Sequence, residues 1–131
     1  MSSTLALDSR SQSESAPYPE ASFNFVISSA VLHFARDLLH LQALLHGMWR
    51  VLKPSGILFC RLASSIGIEK QIQRIAGRRF LLPDGSERFL VDDAILGKLT
   101  RELGAELLDP IKTTVVQNQR AMTTWILRKS A

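Results

Sequence analysis

Apolar side chains first gather at Phe23–Asn24–Phe25–Val26–Ile27, a short aromatic and β-branched run preceded by Pro17 and Pro19. Its apolar positions barely alternate, which predicts a strand covered on both faces. The period then changes. Leu38, Leu41, Leu45, Met48 and Leu52 recur at helical spacing, and Leu44 and Val51 widen the stripe. Asp37 is placed to cap this helix, which runs to about Leu52 and is closed by Lys53–Pro54 and the Ser55–Gly56 turn. A second strand follows at once over Gly56–Leu62. Strand, helix and strand joined by tight connections predict a βαβ unit with parallel strands and a right-handed crossover.

Beyond this unit the pattern is weaker. Ile68, Ile72 and Ile75 give residues 66–76 a faint helical period, and 77–86 read as a loop with Pro83–Asp84–Gly85 as its turn. Asp92 opens a helix through Ile95, Leu96, Leu99 and Leu103 that Gly104 stops. Two strands, about 111–117 and 121–128, flank Asn118–Gln119 and predict a closing antiparallel hairpin. Residues 1–20 are rich in Ser, Ala, Pro and Glu with no sustained period, so they are expected to form a flexible tail ahead of one domain over 21–131.

Composition narrows the class. Hydrophobic residues make up 46% and charged residues 21%, ordinary values for one folded domain of 131 residues. No apolar run approaches the ~18 residues of a membrane span, and the N-terminus lacks the basic and apolar regions of a secretory signal. The single cysteine, Cys60, lies in an apolar strand, which fits an inert thiol in the reducing cytoplasm. The net charge of +4 draws on Lys70, Arg74, Arg78 and Arg79 and on Arg128 and Lys129. That cluster reads either as a solvated face or as a phosphate site. No aromatic residues interleave with it to stack bases, so nucleic acid is not the expected partner.

Three segments together resemble class I S-adenosylmethionine-dependent methyltransferases. Pro17–Tyr18–Pro19–Glu20–Ala21–Ser22–Phe23–Asn24–Phe25–Val26 looks like the approach to that family's fourth strand. Val31–Leu32–His33–Phe34 with Asp37 is similar to the segment leaving it. Arg50–Val51–Leu52–Lys53–Pro54–Ser55–Gly56–Ile57–Leu58 resembles the family's helix, turn and fifth strand. The family's usual Phe-Asp is Phe23–Asn24 here.

The resemblance implies an α/β fold: a partial Rossmann-like methyltransferase sheet in the order fourth, fifth, seventh, sixth strand, the last antiparallel, with flanking helices in a three-layer arrangement. It implies in-line methyl transfer to an O, N, S or C nucleophile, with S-adenosylmethionine as the cofactor and the methyl acceptor unnamed. Ser28, Ser29, Ala30, Val31 and Leu32 would lie near the methionine part of the cofactor, beyond the carboxyl ends of the strands. They read equally as small residues of a strand-to-helix turn. Arg61 to Gly67 would line the acceptor side, with Arg61 and Ser64 foremost; a strand-end arginine reaching solvent is the plainer alternative.

One part of the family's machinery is not found in these residues. A Gly-rich turn after the first strand lets the backbone approach the cofactor. The glycines here stand at 47, 56, 67, 77, 85, 97 and 104, with none adjacent. The expectation is therefore a truncated domain, lacking its N-terminal cofactor-binding half and inactive by itself, so that enzymatic status stays open. His33 is the candidate general base, against a histidine that caps or packs at the turn. His40 and His46 do not share a helix face as metal ligands would, and no metal is expected. The competing reading is a non-catalytic interaction module or pseudoenzyme, with Phe23–Ile27 as an exposed edge strand that pairs with a second copy or a partner.

Overall fold

The computed structural model describes residues 3–8 and 18–131. Its first element corrects the expected tail. Thr4–Leu7 forms strand β1, which pairs in parallel with β2 (Phe23–Ser29), Leu5 opposite Val26 and Leu7 opposite Ser28. Asn24 fastens the start of β1, its side-chain oxygen accepting from the Ser3 N–H at 3.1 Å. Residues 1–2 and 9–17 of the expected tail lie outside the described residues. Phe23–Ile27 is consequently not an edge; β1 occupies that place. Propensity missed β1 because only Leu5 is buried, at 8% exposure, and the neighbouring strand supplies the pairing.

After a 3₁₀ turn at Leu32–Phe34 comes helix α1 (Leu38–Val51). The Asp37 carboxylate caps it by accepting from the His40 N–H at 2.8 Å, an interaction worth about 1 kcal/mol. Burial of Leu41, Leu44, Leu45, Met48 and Val51 contributes far more, about 1.5–3 kcal/mol for each large side chain before entropy is counted. At its far end, the Lys129 ammonium donates to the carbonyls of Trp49 (2.7 Å) and Leu52 (2.8 Å), placing a cation where the helix dipole is negative. Partial burial lowers the pKa of Lys129.

The chain passes from α1 directly into β3 (Leu52–Ser64), longer at both ends than the expected strand. β3 is parallel to β2, with Val26 opposite Leu58 and Ser28 opposite Cys60. The βαβ unit is as predicted. Next come β4 (Gln73–Ala76), β5 (Arg79–Leu81) and β6 (Glu87–Phe89), an antiparallel three-stranded sheet of its own. β4 and the turns before it replace the helix expected over 66–76, and β5 takes Arg79–Leu81 of the loop expected over 77–86, whose Pro83–Asp84–Gly85 turn is as expected. Of the three isoleucines behind that expectation, Ile68 is buried, Ile72 half-buried and Ile75 50% exposed. They do not share one covered face, and turns at Gly77 (φ +56°) and Gly85 (φ +86°) favour hairpins.

Helix α2 (Asp93–Leu103) is capped by Asp92, whose carboxylate accepts from the Ile95 N–H at 2.9 Å, and ends at Gly104 with φ +63°. The chain closes with β7 (Glu106–Leu107), β8 (Lys112–Val116) and β9 (Arg120–Arg128). β9 lies antiparallel to β3, and both β7 and β8 pair with β9. The order β2-β3-β9-β8 is the expected fourth, fifth, seventh, sixth sequence, with β1 added outside β2.

The core lies on one face of this sheet. Val26, Leu58, Cys60, Leu62, Trp125 and Leu127 pack with α1 and with Leu96 and Leu99 of α2. The Trp125 indole N–H donates to Thr100 on α2 at 3.0 Å. On the opposite face Phe25, Ile27, Ile57, Phe59 and Ile126 are only half-buried, and none joins the core cluster that the two helices cover. Among the described residues the architecture is thus two layers over most of the sheet, which corrects the three-layer expectation and the strand covered on both faces.

Gly56 marks the tightest point of the β2–β3 pair. A Cβ there would stand 2.7 Å from Leu52 Cδ1, 2.8 Å from the Lys53 carbonyl oxygen and 2.9 Å from that of Asn24. Two of these neighbours are backbone and cannot swing away. Gly56→Ala is expected to destabilise the fold by about 1–3 kcal/mol, the usual cost of overpacking, read as a lower urea midpoint with an unchanged slope. A variant as stable as the wild type would contradict the close approach.

Candidate functional site

The carboxyl ends of β2 and β3 point the same way, and the small β4–β6 sheet folds over them. Phe80, Leu82 and Leu90 from its side pack with Ala63 of β3, and Met122 of β9 joins at the rim. Between the two sheets lies a pocket of about 260 Å³. Ala30 and the His33–Phe34 pair come to it from the segment after β2, Arg61 and Ala63 from β3, and Arg120 and Met122 from β9. The small sheet adds Leu82, Asp84, Ser86 and Arg88. A cleft beyond the carboxyl ends of parallel strands is where open α/β sheets bind ligands.

His33 forms part of the wall. Its side chain is buried, and Nδ1 accepts a hydrogen bond from the Ala63 N–H at 3.2 Å. Burial lowers its pKa from 6.5 to about 4, and the charges of Arg88 and Arg61 add to the effect. The ring is neutral near pH 7, and with Nδ1 accepting, its proton sits on Nε2. The lone pair on Nδ1, which a general base would use, is taken up by the Ala63 N–H. The turn-packing alternative describes this histidine.

The five residues at the end of β2 divide. Ser28, Val31 and Leu32 are buried at 1%, 0% and 1% exposure, their side chains turned into the interior. Ser28 Oγ is buried without a formed hydrogen bond, beside Cys60 on the neighbouring strand. Burial pushes the Cys60 thiol up to about 12, the Ser28 hydroxyl offsetting only part of the rise, which leaves an unreactive thiol. Ser29 and Ala30 retain some surface. Ala30 adopts φ +60°, which strains a residue with a Cβ by roughly 1–2 kcal/mol, and its N–H is held by the Arg61 carbonyl at 2.9 Å. Of the five, then, only Ser29 and Ala30 present surface at the strand end. The glycine-rich turn of a cofactor cradle has no counterpart in the sequence.

On the acceptor side Arg61 is exposed and lines the pocket. Ser64 does not. It is fully buried, accepts from the Thr123 hydroxyl at 2.7 Å and from the Ile66 N–H at 3.3 Å, and so ties β3 to β9. The basic cluster also resolves into separate roles. Arg78 is committed to Asp92 (3.8 Å), Ser65 (2.8 Å) and the Leu90 carbonyl (2.9 Å), and Arg79 donates to the Ala35 carbonyl at 2.9 Å. Both hold the small sheet in place.

Sequence reasoning missed Arg88 and Arg120. Arg88 lay just past an expected loop and Arg120 at a hairpin turn, and neither stands near Arg61 in the chain. Only the folding of the small sheet over β3 brings them together. No set of three or more His, Cys, Asp or Glu side chains suited to a metal occurs among the described residues, and no described helix is long and apolar enough to cross a membrane.

Comparison with known proteins agrees with this geometry. Residues 7–60 match a family described as methyltransferase domain. No curated protein matches the chain. A S-adenosylmethionine-dependent methyltransferase from Methanosarcina mazei superposes with a TM-score of 0.73 at 18% identity, covering 89% of this chain and 64% of that one. A Burkholderia thailandensis 1,6-didemethyltoxoflavin N1-methyltransferase, solved with bound 1,6-didemethyltoxoflavin and S-adenosylhomocysteine, gives 0.66 at 17% identity, covering 90% and 48%. The [4+2]-cyclase SpnF gives 0.63 at 16%, covering 90% and 53%. The chain has the class I methyltransferase fold, and it spans about half to two-thirds of the length of these structures. The cyclase is a reminder that the fold hosts more than one reaction, so chemistry must be argued from the site.

The lowered pKa of His33 makes stability depend on pH. Its folded value, about 4, lies below the 6.5 of an unperturbed histidine, so the unfolded chain binds the proton more readily. The stabilisation is complete above pH 6.5 and is lost as pH falls through 4. Between pH 7 and 4.5 the wild type should lose about 2–3 kcal/mol more than His33→Gln, measured by urea denaturation at each pH. Parallel pH profiles for the two proteins would contradict the buried neutral ring.

Proposed function

We propose that these residues form the acceptor-side half of a S-adenosylmethionine-dependent methyltransferase domain, and that by themselves they neither bind the cofactor nor turn over substrate. One observation carries the reading: parallel β2 and β3, bridged by α1, end at a pocket reached by strand-end residues. In that role the chain's part is to hold and orient a methyl acceptor, and orientation supplies much of the rate in a direct displacement. The incomplete cradle supports the inactivity. Of the five expected cofactor contacts only Ser29 and Ala30 keep an outward surface. A cytoplasmic setting suits the free Cys60 thiol.

Calorimetric titration of the 131-residue chain with S-adenosylmethionine tests this. The expected result is no saturable heat at micromolar ligand. Micromolar binding would falsify the claim of an incomplete cofactor site.

A second reading, an interaction module or pseudoenzyme, draws on two features. β1 is the outer strand of the sheet among the described residues, and the face bearing Phe25, Ile27, Ile57, Phe59 and Ile126 carries apolar side chains that neither helix covers. Unpaired strand edges and apolar faces favour association with another chain. A second copy is the simplest occupant. Sedimentation velocity is then expected to show mass rising with protein concentration, and Ile27→Lys, which places a charge on the open face, to shift the population towards monomer. A monomer throughout the concentration series would argue against this reading.

A further inference from the structure

The pocket beyond β2 and β3 is lined by three arginines contributed by three different strands: Arg61 from β3, Arg88 from β6 and Arg120 from β9. One carboxylate, Asp84, faces them. Its own oxygen is engaged by the Ser86 N–H at 2.9 Å and the Ser86 hydroxyl at 2.6 Å, and no ion pair to any of the three arginines forms. Arg88 is held by neutral partners. Its guanidinium stacks 4.7 Å from the centre of the Phe34 ring and donates to the Glu87 carbonyl at 2.8 Å. Beyond the Ser86 hydrogen bonds, the charges of Arg88 and Arg120 help hold the Asp84 carboxyl below its usual value, so Asp84 offsets part of the charge, and the three arginines keep an excess over that one carboxylate. Arg78 differs, since it sits beside the same small sheet and is paired with Asp92.

From this arrangement we propose that the pocket binds a compact oxyanion, a phosphate or carboxylate group on a small molecule, with Arg88 and Arg120 as its principal ligands and Arg61 at the rim. Guanidinium groups present paired N–H donors matched to such oxygens. The volume of about 260 Å³ falls just below the usual range for drug-sized ligands, which limits the occupant to a small compound. The rest of the lining, Ala30, Ala63, Leu82 and Met122 with the Phe34 ring beneath Arg88, suits an apolar body attached to the anionic group. His33 feels the same field, since Arg88 and Arg61 both oppose its protonation. That the anion belongs to a methyl acceptor rests on the methyltransferase reading; binding of the anion does not.

The test is a titration of the full chain with inorganic phosphate and, separately, with benzoate, at constant ionic strength made up with chloride. Backbone amide NMR shifts provide the readout. One of the two anions is expected to give saturable shifts confined to the amides around Ala30, Arg61, Ser86 and Arg120. The preferred anion identifies the phosphoryl or carboxylate source. Affinity should fall at least tenfold in the Arg88→Gln/Arg120→Gln double variant and stay unchanged in Lys98→Gln, an exposed α2 position. Dispersed spectra establish that each variant is folded, and the exposed Arg61→Gln serves as a second probe should the double variant unfold. Shifts no larger than those given by chloride, or equal affinity in the arginine variants and wild type, would overturn the proposal. S-adenosylmethionine is left out of the titration, so the anion site and the cofactor reading fail or succeed separately.

Discussion

Parallel strands cannot be joined by a tight turn, so β2 and β3 exist as neighbours only because a crossover element spans them and pays its own way in buried surface. Helix α1 does this by placing Leu41, Leu44, Leu45, Met48 and Val51 against Val26, Leu58 and Cys60. Gly56 lets β3 begin within van der Waals reach of the Asn24 backbone. The C-terminal strand then fastens both ends of the unit. β9 runs antiparallel along β3, and Lys129 at its end grips the last carbonyls of α1. Because β2 and β3 run the same way, their carboxyl ends meet on one side. The pocket is a consequence of that polarity.

The protein treats its arginines in two ways, and the difference separates structure from candidate function. Arg78 and Arg79 are committed to a carboxylate, a hydroxyl and backbone carbonyls, and they hold the small β4–β6 sheet against the segment after β2. Arg61, Arg88 and Arg120 converge on the pocket without ionic partners among the described residues. Three cations offset in part by the single Asp84 carboxylate leave a positive excess in a concave site, which raises the local concentration of opposite charge. It also opposes protonation of His33, already disfavoured by burial. Around this pocket, then, burial keeps the histidine neutral and the cationic rim reinforces it.

The sheet is built asymmetrically. One face carries both helices and almost all of the large buried side chains, including Trp125 with its indole hydrogen-bonded to Thr100. The other is apolar but half-buried over Phe25, Ile27, Ile57, Phe59 and Ile126. Doubly wound sheets ordinarily carry helices on both faces. The similar solved structures are longer than this chain, which covers 48–64% of the three compared. The fold is recognisable over the part of those structures that this chain spans.

Sequence alone determined the βαβ unit, the two capped helices and the closing hairpin. Each of these is encoded locally, by a buried stripe at a regular period bounded by Asp37, Asp92, Gly56 or Gly104, whose capping or backbone roles do not depend on distant partners. It also marked Ala30, His33 and Arg61 as residues near a site. Tertiary structure decided the rest. β1 is a strand because β2 offers it hydrogen bonds, and β4 is a strand because β5 does, whatever the faint helical period of its isoleucines. Val31, Leu32 and Ser64 face inward because the layers that bury them come from distant parts of the chain. Arg88 and Arg120 join Arg61 for the same reason: a pocket made by packing two sheets together has no periodicity along the chain, and only the folded arrangement brings its charges within reach of one ligand.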